Sequence, residues 1–261
     1  MDKLNFLIWN VRGLNDKVRR DNLRKVVDDT RLAVACLQET KLSRIADRDV
    51  VSFLGSDFTK FVFLPAQQTR GGILIAWRDG SFVVSQHRVH RHSVSVLFSN
   101  NDDPAWWFTG VYGPHRDDEK LGFIEELREV RANCPGPWIL AGDFNMIYCS
   151  EDKNNENINR AMMAGFRRFV NDMELKEIPL LCRRYTWSNE RDSPTPVKLD
   201  RVLCTNDWEE IYVENVLQSH ATEMSDHCPL ILGLREGLVG KKRFHFESFW
   251  PKLEGFLEAV Q

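Results

Sequence analysis

The sequence predicts an α/β fold: a four-layered α/β sandwich in which two packed, mostly antiparallel mixed β-sheets are flanked by helices. Short apolar segments of strand length recur in clusters along the chain, and segments with apolar residues at helical spacing stand between the clusters. A sheet has to cover its apolar face, so this succession is satisfied when two sheets pack together with the helices outside.

The first three elements already follow this pattern. Leu4–Asn10 and Leu32–Gln38 are apolar runs of strand length, as expected for buried strands. Between them Asn15 or Asp16 can cap a helix that runs to about residue 30. The apolar stripe of this helix is formed by Leu23, Val26 and Val27.

Five further strand candidates follow at close spacing, which is typical of an antiparallel meander. They are Lys60–Leu64, 72–77, 82–90, 94–99 and Trp106–Tyr112. Helical spacing of apolar residues then predicts a helix over 119–131, and Trp138–Asp143 predicts a strand that ends in a turn. A second helical stripe comprises Met162, Phe166, Phe169 and Met173.

The remaining predicted strands complete one domain over residues 1–235. They are the strand-like 185–187 and the strands 199–204, 213–219 and Leu230–Leu234. Residues 236–261 differ in character, with a short basic run followed by aromatic residues, and are expected to be a linker or the start of a following region. The first residues become polar too soon for a signal peptide.

Composition narrows the function classes without choosing one. Lys and Arg number 35 against 38 Asp and Glu, which gives a net charge of −3 and disfavours a passive DNA-coating protein. The composition is compatible with an enzyme whose acidic residues bind a metal ion. No run of 18 apolar residues occurs, so no membrane span is expected. The six cysteines form no CxxC pair, which argues against a structural zinc site.

Polar residues stand repeatedly at the ends of the apolar strands, where rigid sheets present functional groups. They are Asn10, Glu39, Tyr112, Asp143, Asn145, Asp200, Asp226 and His227. Taken singly, several have ordinary explanations. Asn10 could make a turn with Gly13, Glu39 could be a solvated strand end, and Tyr112 could be a core aromatic. Asp143 and Asn145, which are separated by one residue, are harder to explain structurally.

The ordered set is more specific than its members: WNVRGLN, LQETK, VYGP, GDFN, YTWSN, LDRVL and SDHCPL. It resembles the exonuclease III-like endonuclease/exonuclease/phosphatase superfamily over about residues 4–235. Within that superfamily it is most similar to the endonuclease domain of LINE-type (non-LTR) retrotransposons, particularly those of plants. WNVRGLN, YTWSN and LDRVL carry this narrower resemblance.

The resemblance implies a role for each polar residue. Glu39 would be the main ligand of a Mg²⁺ ion, which prefers hard oxygen donors, with Asn10 assisting and Mn²⁺ able to substitute. Asp143 would be the general base, and Asn145 would hold the attacking water or a phosphate oxygen. His227, steadied by Asp200, would stabilise charge on the phosphate.

Tyr112 would hydrogen-bond the phosphate, and Asp226 would hold or tune the metal and its waters. The expected DNA contacts are Arg12, Thr186, Ser188, Arg201 and Ser225. Further candidate phosphate contacts, for which a solvated surface position is as good an explanation, are Lys41, Arg70 and Arg116. For Trp187 core packing is the favoured interpretation. One departure concerns Arg12, which stands where repair-type apurinic endonucleases carry an acid, so a strict two-metal scheme is in doubt.

The function implied is a Mg²⁺-dependent DNA endonuclease that leaves a 3′-hydroxyl and a 5′-phosphate, the former priming reverse transcription. Implied partners are double-stranded DNA and a downstream reverse transcriptase region of the same polyprotein, with action in the nucleus and a monomeric isolated domain. The alternatives are a phosphatase or a phospholipid or inositol phosphodiesterase of the same fold, an apurinic/apyrimidinic repair endonuclease, and a non-enzymatic scaffold.

Overall fold

The computed structural model describes residues 4–67, 71–100, 104–181, 183–189, 194–220 and 225–234, so Arg70 and the segment 236–261 lie outside the described part. The strands are β1 (Leu4–Asn10), β2 (Leu32–Gln38), β3 (Lys60–Leu64), β4 (Ile73–Trp77), β5 (Val83–Val89), β6 (Ser93–Ser99), β7 (Trp106–Tyr112), β8 (Trp138–Asp143), β9 (Lys176–Glu177), β10 (Leu180–Leu181), β11 (Trp187–Ser188), β12 (Pro196–Val197), β13 (Asp200–Cys204), β14 (Val216–Ser219) and β15 (Leu230–Leu234). The helices are α1 (Lys17–Thr30), α2 (Asp47–Leu54), α3 (Asp117–Asn133), α4 (Arg160–Asp172) and α5 (Asn206–Ile211).

The strands form two mixed sheets and a short hairpin. The first sheet has the order β10-β14-β15-β1-β2-β4-β3, the second has the order β5-β6-β7-β8-β13-β9, and β11 pairs with β12. The β1–β2, β7–β8 and β10–β14 pairs are parallel, whereas the other pairs are antiparallel. The predicted α/β sandwich of two packed, mostly antiparallel sheets is therefore confirmed.

Three apolar clusters hold the four layers together. The largest lies between the inner faces of the two sheets and contains Phe6, Phe98 and Trp106. A second lies under α1 and α2 on the outer face of the first sheet, and a third lies under α3 and α4 on the outer face of the second. Burying a large apolar side chain contributes about 1.5–3 kcal/mol, so these clusters are the main stabilising term.

The helix α1 forms as its sequence predicts. The Asp16 carboxylate accepts the Val18 backbone N–H at 2.8 Å and so caps the helix, and the predicted apolar stripe is buried. The short helices α2 and α5 were not predicted, because six to eight residues are too few to show a clear period. Within the described ranges no helix has the length and apolar character needed to cross a bilayer.

The continuous meander predicted from residue 60 to residue 112 is wrong at one point. β3 and β4 form a hairpin in the first sheet, whereas β5, β6 and β7 form a meander in the second. β4 is buried throughout and pairs with β2 on one side and β3 on the other. The chain then crosses between the sheets, and Phe82 enters the inter-sheet core directly before the exposed edge strand β5.

Candidate active site at the ends of both sheets

Polar side chains replace apolar ones where strands of both sheets end on the inner side of the sandwich. Along β1, Phe6 and Ile8 lie in the inter-sheet core, and Asn10 is the next inward residue. Side chains alternate between the two faces of a strand, so the core continues directly into a polar cluster. Three residues of the second sheet reach the same inner end: Tyr112, Asp143 and Asp200.

The strand register brings these residues side by side. Tyr112 is opposite Asp143 in the parallel β7–β8 pair, and Asp143 is opposite Asp200 in the antiparallel β8–β13 pair. Asn10 reaches across from the first sheet, and its Nδ2 donates a hydrogen bond of 2.9 Å to Asp143 Oδ2. Four residues predicted from scattered motifs therefore meet at one end of the sandwich.

Asp143 lies at the centre of this cluster and is fully buried. Its Oδ1 accepts the backbone N–H of Asn145 at 2.9 Å, while Nδ2 of Asn145 donates to the Gly113 carbonyl at 2.8 Å. Burial raises the pKa of Asp143 to about 6, against the opposing effect of His227 and the two asparagine donors. At neutral pH the carboxylate is ionised and is a much better proton acceptor than an ordinary aspartate.

His227 is paired with Asp200 and faces Asp143. The distance from Nδ1 to Asp200 Oδ2 is 2.8 Å, and the distance from Nε2 to Asp143 Oδ2 is 3.7 Å. Burial by itself lowers the pKa of His227, but the negative charges of Asp200 and Asp143 outweigh it and raise this pKa to about 9. His227 is therefore an imidazolium at neutral pH, suited to stabilising negative charge.

Asp226, the residue before His227, is held by two donors from distant segments. Its Oδ2 accepts the indole N–H of Trp187 at 2.7 Å and pairs with Nη1 of Arg12 at 3.0 Å. Its Oδ1 is buried and has no hydrogen-bond partner among the described residues. Trp187 is only half-buried, so the core-packing interpretation is corrected: its indole orients a carboxylate.

Glu39 directly follows β2 and forms an ion pair with Lys41, with 2.9 Å between Oε1 and Nζ. Burial acts to raise the pKa of Glu39, but Lys41, Asn10 and His115 together lower it below its usual value. The carboxylate is therefore ionised. Its contact with Asn10 places Glu39 beside the Asp143 cluster, as predicted.

Tyr112 lies opposite Asp143 in the sheet, and its side chain also contacts Glu39. Its hydroxyl is 2.9 Å from Nε2 of His115. Burial and the charges of Glu39, Asp143 and Asp226 raise the pKa of Tyr112 far above its usual value. The hydroxyl therefore stays protonated and can donate a hydrogen bond.

Backbone strain is concentrated at this cleft. Arg12, Glu39, Lys41 and Asn145 adopt left-handed conformations with φ between 51° and 57°. Such values are uncommon for residues other than glycine and cost of order 1 kcal/mol or more each. Elsewhere in the described residues only Arg31 and Glu174 share this conformation. Strain of this kind is retained where the surrounding structure requires one exact placement of a functional side chain.

Two predicted DNA contacts are wrong. Thr186 is buried, and its hydroxyl oxygen accepts the backbone N–H groups of Leu199 and Asp200, both at 3.0 Å. Arg201 is 1% exposed, and its guanidinium pairs with Glu177 and Asp152. Alternation along β13 turns Asp200 inward and Arg201 to the other face, where side chains from neighbouring loops cover it. Neither side chain can reach DNA.

Ser225 is half-buried, and its hydroxyl donates to the Asn10 carbonyl at 2.9 Å and accepts the His227 N–H at 3.1 Å. It therefore links the segment of His227 to β1, and its contact with DNA stays a prediction. Ser188 is half-buried at the edge of the cleft, and Arg116 is exposed and paired with Asp118. For both, DNA contact stays a prediction. Arg70 lies outside the described residues.

Sequence reasoning missed two residues of the cluster. Gln38 is fully buried, and its Nε2 donates to the carbonyl of Cys36, which lies in the inter-sheet core. The two-residue alternation of β2 could have identified it as the inward residue beside Asn10. His115 contacts the Tyr112 hydroxyl, but nothing in the sequence distinguishes it from an ordinary loop histidine.

The residues present fit a divalent cation. Glu39 offers an ionised carboxylate, and Asn10, which contacts it, offers an amide. Asp226 has a buried carboxylate oxygen without a hydrogen-bond partner among the described residues, but its other oxygen pairs with Arg12. Oxygen donors of this kind suit Mg²⁺. Asp143, Asp200 and His227 also place ligand atoms within 4.8 Å of one another and are a possible metal site. His227 and Asp200 already share a hydrogen bond, so we favour proton chemistry for that trio.

Comparison with solved structures shows which folds this chain is similar to. An AP endonuclease, LMAP from Leishmania major, has a TM-score of 0.70 at 18% identity, covering 90% of this chain and 88% of that one. The endonuclease domain of TRAS1, a telomere-specific non-LTR retrotransposon, has a TM-score of 0.68 at 16% identity, covering 90% and 99%. The 3′ phosphatase NExo from Neisseria, bound to a product DNA hairpin, has a TM-score of 0.69 at 18% identity, covering 89% and 99%.

No curated protein sequence matches the chain. The profile of one protein family does, and it spans residues 7–227, from the middle of β1 to the histidine of the Asp200–His227 pair. All the polar residues of the cluster lie within this match. The chain belongs to the Endonuclease/Exonuclease/phosphatase family.

Proposed function

We propose that this protein is a Mg²⁺-dependent DNA endonuclease, with Mn²⁺ able to replace Mg²⁺, that nicks a phosphodiester bond to leave a 3′-hydroxyl and a 5′-phosphate. The observation that carries the proposal is the geometry of one buried cluster, in which Nε2 of His227 lies 3.7 Å from Oδ2 of Asp143 and Nδ1 of the same ring lies 2.8 Å from Oδ2 of Asp200. At neutral pH the buried Asp143 is an ionised base, and His227, 3.7 Å away, is a cation. A base that accepts a proton from water and a cation that stabilises charge on the phosphate both accelerate the hydrolysis of a phosphodiester.

The chain's own residues would act on the substrate as follows. Asp143 takes a proton from the attacking water, whose oxygen bonds to phosphorus, and Asn145 orients that water. His227 and the Tyr112 hydroxyl stabilise the charge on the phosphate oxygens while the bond to the 3′-oxygen breaks. The 3′-oxygen then gains a proton from solvent. A divalent ion held by Glu39 and Asn10 would supply further positive charge at the phosphate and the departing oxygen.

DNA is the substrate we favour over phospholipids or inositol phosphates. A cavity of about 180 Å³ opens beside Asp226, and aromatic and arginine side chains line it: Arg183, Arg184, Tyr185 and Trp187. Arginines bind phosphates, and aromatic rings stack on bases. The similarity to the TRAS1 endonuclease domain supports a role in retrotransposition. In that role the 3′-hydroxyl would prime a reverse transcriptase region of the same polyprotein, in the nucleus.

The test is nicking of supercoiled plasmid with Mg²⁺, with and without EDTA. We expect Asp143→Asn and His227→Ala to lower the rate by about 10²–10⁴-fold. The exposed Asp172→Asn and His87→Ala are matched controls and should retain the wild-type rate. Equal nicking by all five proteins, or by wild type in EDTA, would exclude the proposal.

Analysis of the products and competing substrates separates this function from its alternatives. A 3′-hydroxyl end supports extension by a DNA polymerase without prior phosphatase treatment, whereas a 3′-phosphate end does not. Turnover is then compared on intact duplex, abasic duplex, a 3′-phosphate duplex and an inositol phosphate. Preferred turnover of the abasic duplex would indicate a repair endonuclease, and preferred turnover of either of the last two would indicate a phosphatase.

A further inference from the structure

Each of the two outer carboxylates of the cleft has a cationic partner supplied by the chain. Lys41 Nζ lies 2.9 Å from Glu39 Oε1, and Arg12 Nη1 lies 3.0 Å from Asp226 Oδ2. Both cations adopt left-handed backbone conformations, with φ values of 57° and 51°. The protein itself therefore supplies positive charge at two separate points of an acidic cleft.

Further hydrogen bonds hold both members of the Arg12–Asp226 pair in place. Asp226 Oδ2 accepts a second hydrogen bond from Trp187, and the Asp226 side chain is 10% exposed. The Arg12 backbone is fixed as well, because its N–H donates to Asn10 Oδ1 at 3.1 Å and its carbonyl accepts from Arg19. A guanidinium is planar, weakly hydrated and always charged. Removing it would leave the mostly buried Asp226 carboxylate without its ion-pair partner, which is unfavourable.

The Lys41–Glu39 pair is built differently. The ammonium is a compact, strongly hydrated charge on a flexible stem. Glu39 is also in contact with the side chains of Asn10 and Tyr112, so its carboxylate does not depend on Lys41 alone. A divalent ion offers this carboxylate more charge than an ammonium does, and Lys41 can swing into solvent when the ion arrives.

We propose that the cleft binds one divalent ion, which displaces Lys41 from Glu39, while Arg12 remains as the permanent counter-charge of Asp226 and excludes a second ion there. The inference rests on the proposed metal site at Glu39. It assigns the two cations opposite roles. Lys41 pairs with Glu39 only until the ion binds there. Arg12 is a positioning residue that stays paired with Asp226 and supplies the positive charge that a second ion would supply.

The test is Mn²⁺ binding to the DNA-free protein, measured from the electron paramagnetic resonance signal of free Mn²⁺, so that no activity is required. Wild type should bind one ion. Lys41→Gln should bind one ion about three- to tenfold more tightly, because a competing ion pair of modest strength is lost. Arg12→Gln should bind a second, weaker ion, whereas Arg12→Lys, which keeps the charge, should bind one.

Matched controls are Arg24→Gln and Lys60→Gln, whose side chains pair with Asp28 and Asp79 away from the cleft and should leave Mn²⁺ binding unchanged. Circular dichroism establishes that each variant is folded. Two ions of similar affinity on wild type, or a single ion of unchanged affinity on folded Arg12→Gln and Lys41→Gln, would overturn the inference and leave the proposed nuclease intact. Absence of any Mn²⁺ binding by wild type would overturn both.

Discussion

Nδ1 of His227 and Oδ2 of Asp200 lie 2.8 Å apart at the ends of two different sheets. Asp200 begins β13 in the second sheet, and His227 precedes β15 in the first. The pair therefore links the two sheets, and the contact that raises the pKa of His227 requires both sheets to be packed. This dependence joins the stability of the fold to the chemistry of the site.

Replacement of Asp200 tests this relationship directly. Asp200→Asn keeps the shape but removes the negative charge that raises the pKa of His227. We expect the nicking rate at pH 7 to fall by about 10²–10⁴-fold and the pKa of His227 to fall with it. A plasmid nicking assay measures the rate, and an NMR titration of the imidazole measures the pKa of His227. Asp172→Asn, an exposed carboxylate paired with Arg128, is the control. An unchanged His227 titration would contradict the assignment.

The pH dependence of nicking should be bell-shaped. Asp143 must be ionised to accept a proton, so the rate should fall as the pH decreases below about 6. His227 must be protonated, so the rate should fall as the pH increases above about 9. Initial rates at saturating Mg²⁺ and constant ionic strength measure both limbs. A rate that keeps rising through pH 10 would show that the His227 cation is not required.

Gly142 should be required for the close approach of β8 to β7 beside Asp143. Its φ is +140°, and a Cβ at this position would lie 2.2 Å from the Val111 carbonyl oxygen on the neighbouring strand β7. We expect Gly142→Ala to lower the free energy of unfolding by about 2–4 kcal/mol, through strain and overpacking. Urea denaturation measures this change in the free energy of unfolding. The control is Gly122→Ala on the exposed face of α3, where a Cβ meets no atom among the described residues within 4 Å. That variant should gain about 0.5–1 kcal/mol.

Arg201 should matter for stability and not for DNA affinity. Replacing it with methionine leaves Glu177 and the buried Asp152 without their shared guanidinium, which should cost about 3–5 kcal/mol of unfolding free energy. Arg91→Met breaks an exposed ion pair with Glu119 and should cost less than about 1 kcal/mol. Urea denaturation gives both values, and the DNA affinity of folded Arg201→Met should equal that of wild type. A weakened affinity would restore Arg201 as a DNA contact.

Side chains alternate between the two faces of a strand from one residue to the next, and this local pattern explains which site residues the sequence could identify. Asn10 and Asp143 end apolar strands and Asp200 begins one, so their position at a strand end follows from the local pattern alone. The same reasoning did not extend to Thr186 and Arg201. The sequence contains their motifs, but whether each side chain is buried depends on the segments that pack over it. Burial by distant segments has no local signature.

The sequence by itself determined the two-sheet architecture, because strand periodicity is a property of neighbouring residues. It also determined the identity of the acids, amides and histidine at the strand ends, because their motifs and the order of these motifs can be read along the chain. Only the tertiary structure decided that Arg12 and Trp187 both hold Asp226, that Lys41 pairs with Glu39, and that the chain changes sheets after β4. The physical reason is that ion pairs and strand neighbours form between segments far apart in the chain, and geometry in three dimensions selects them.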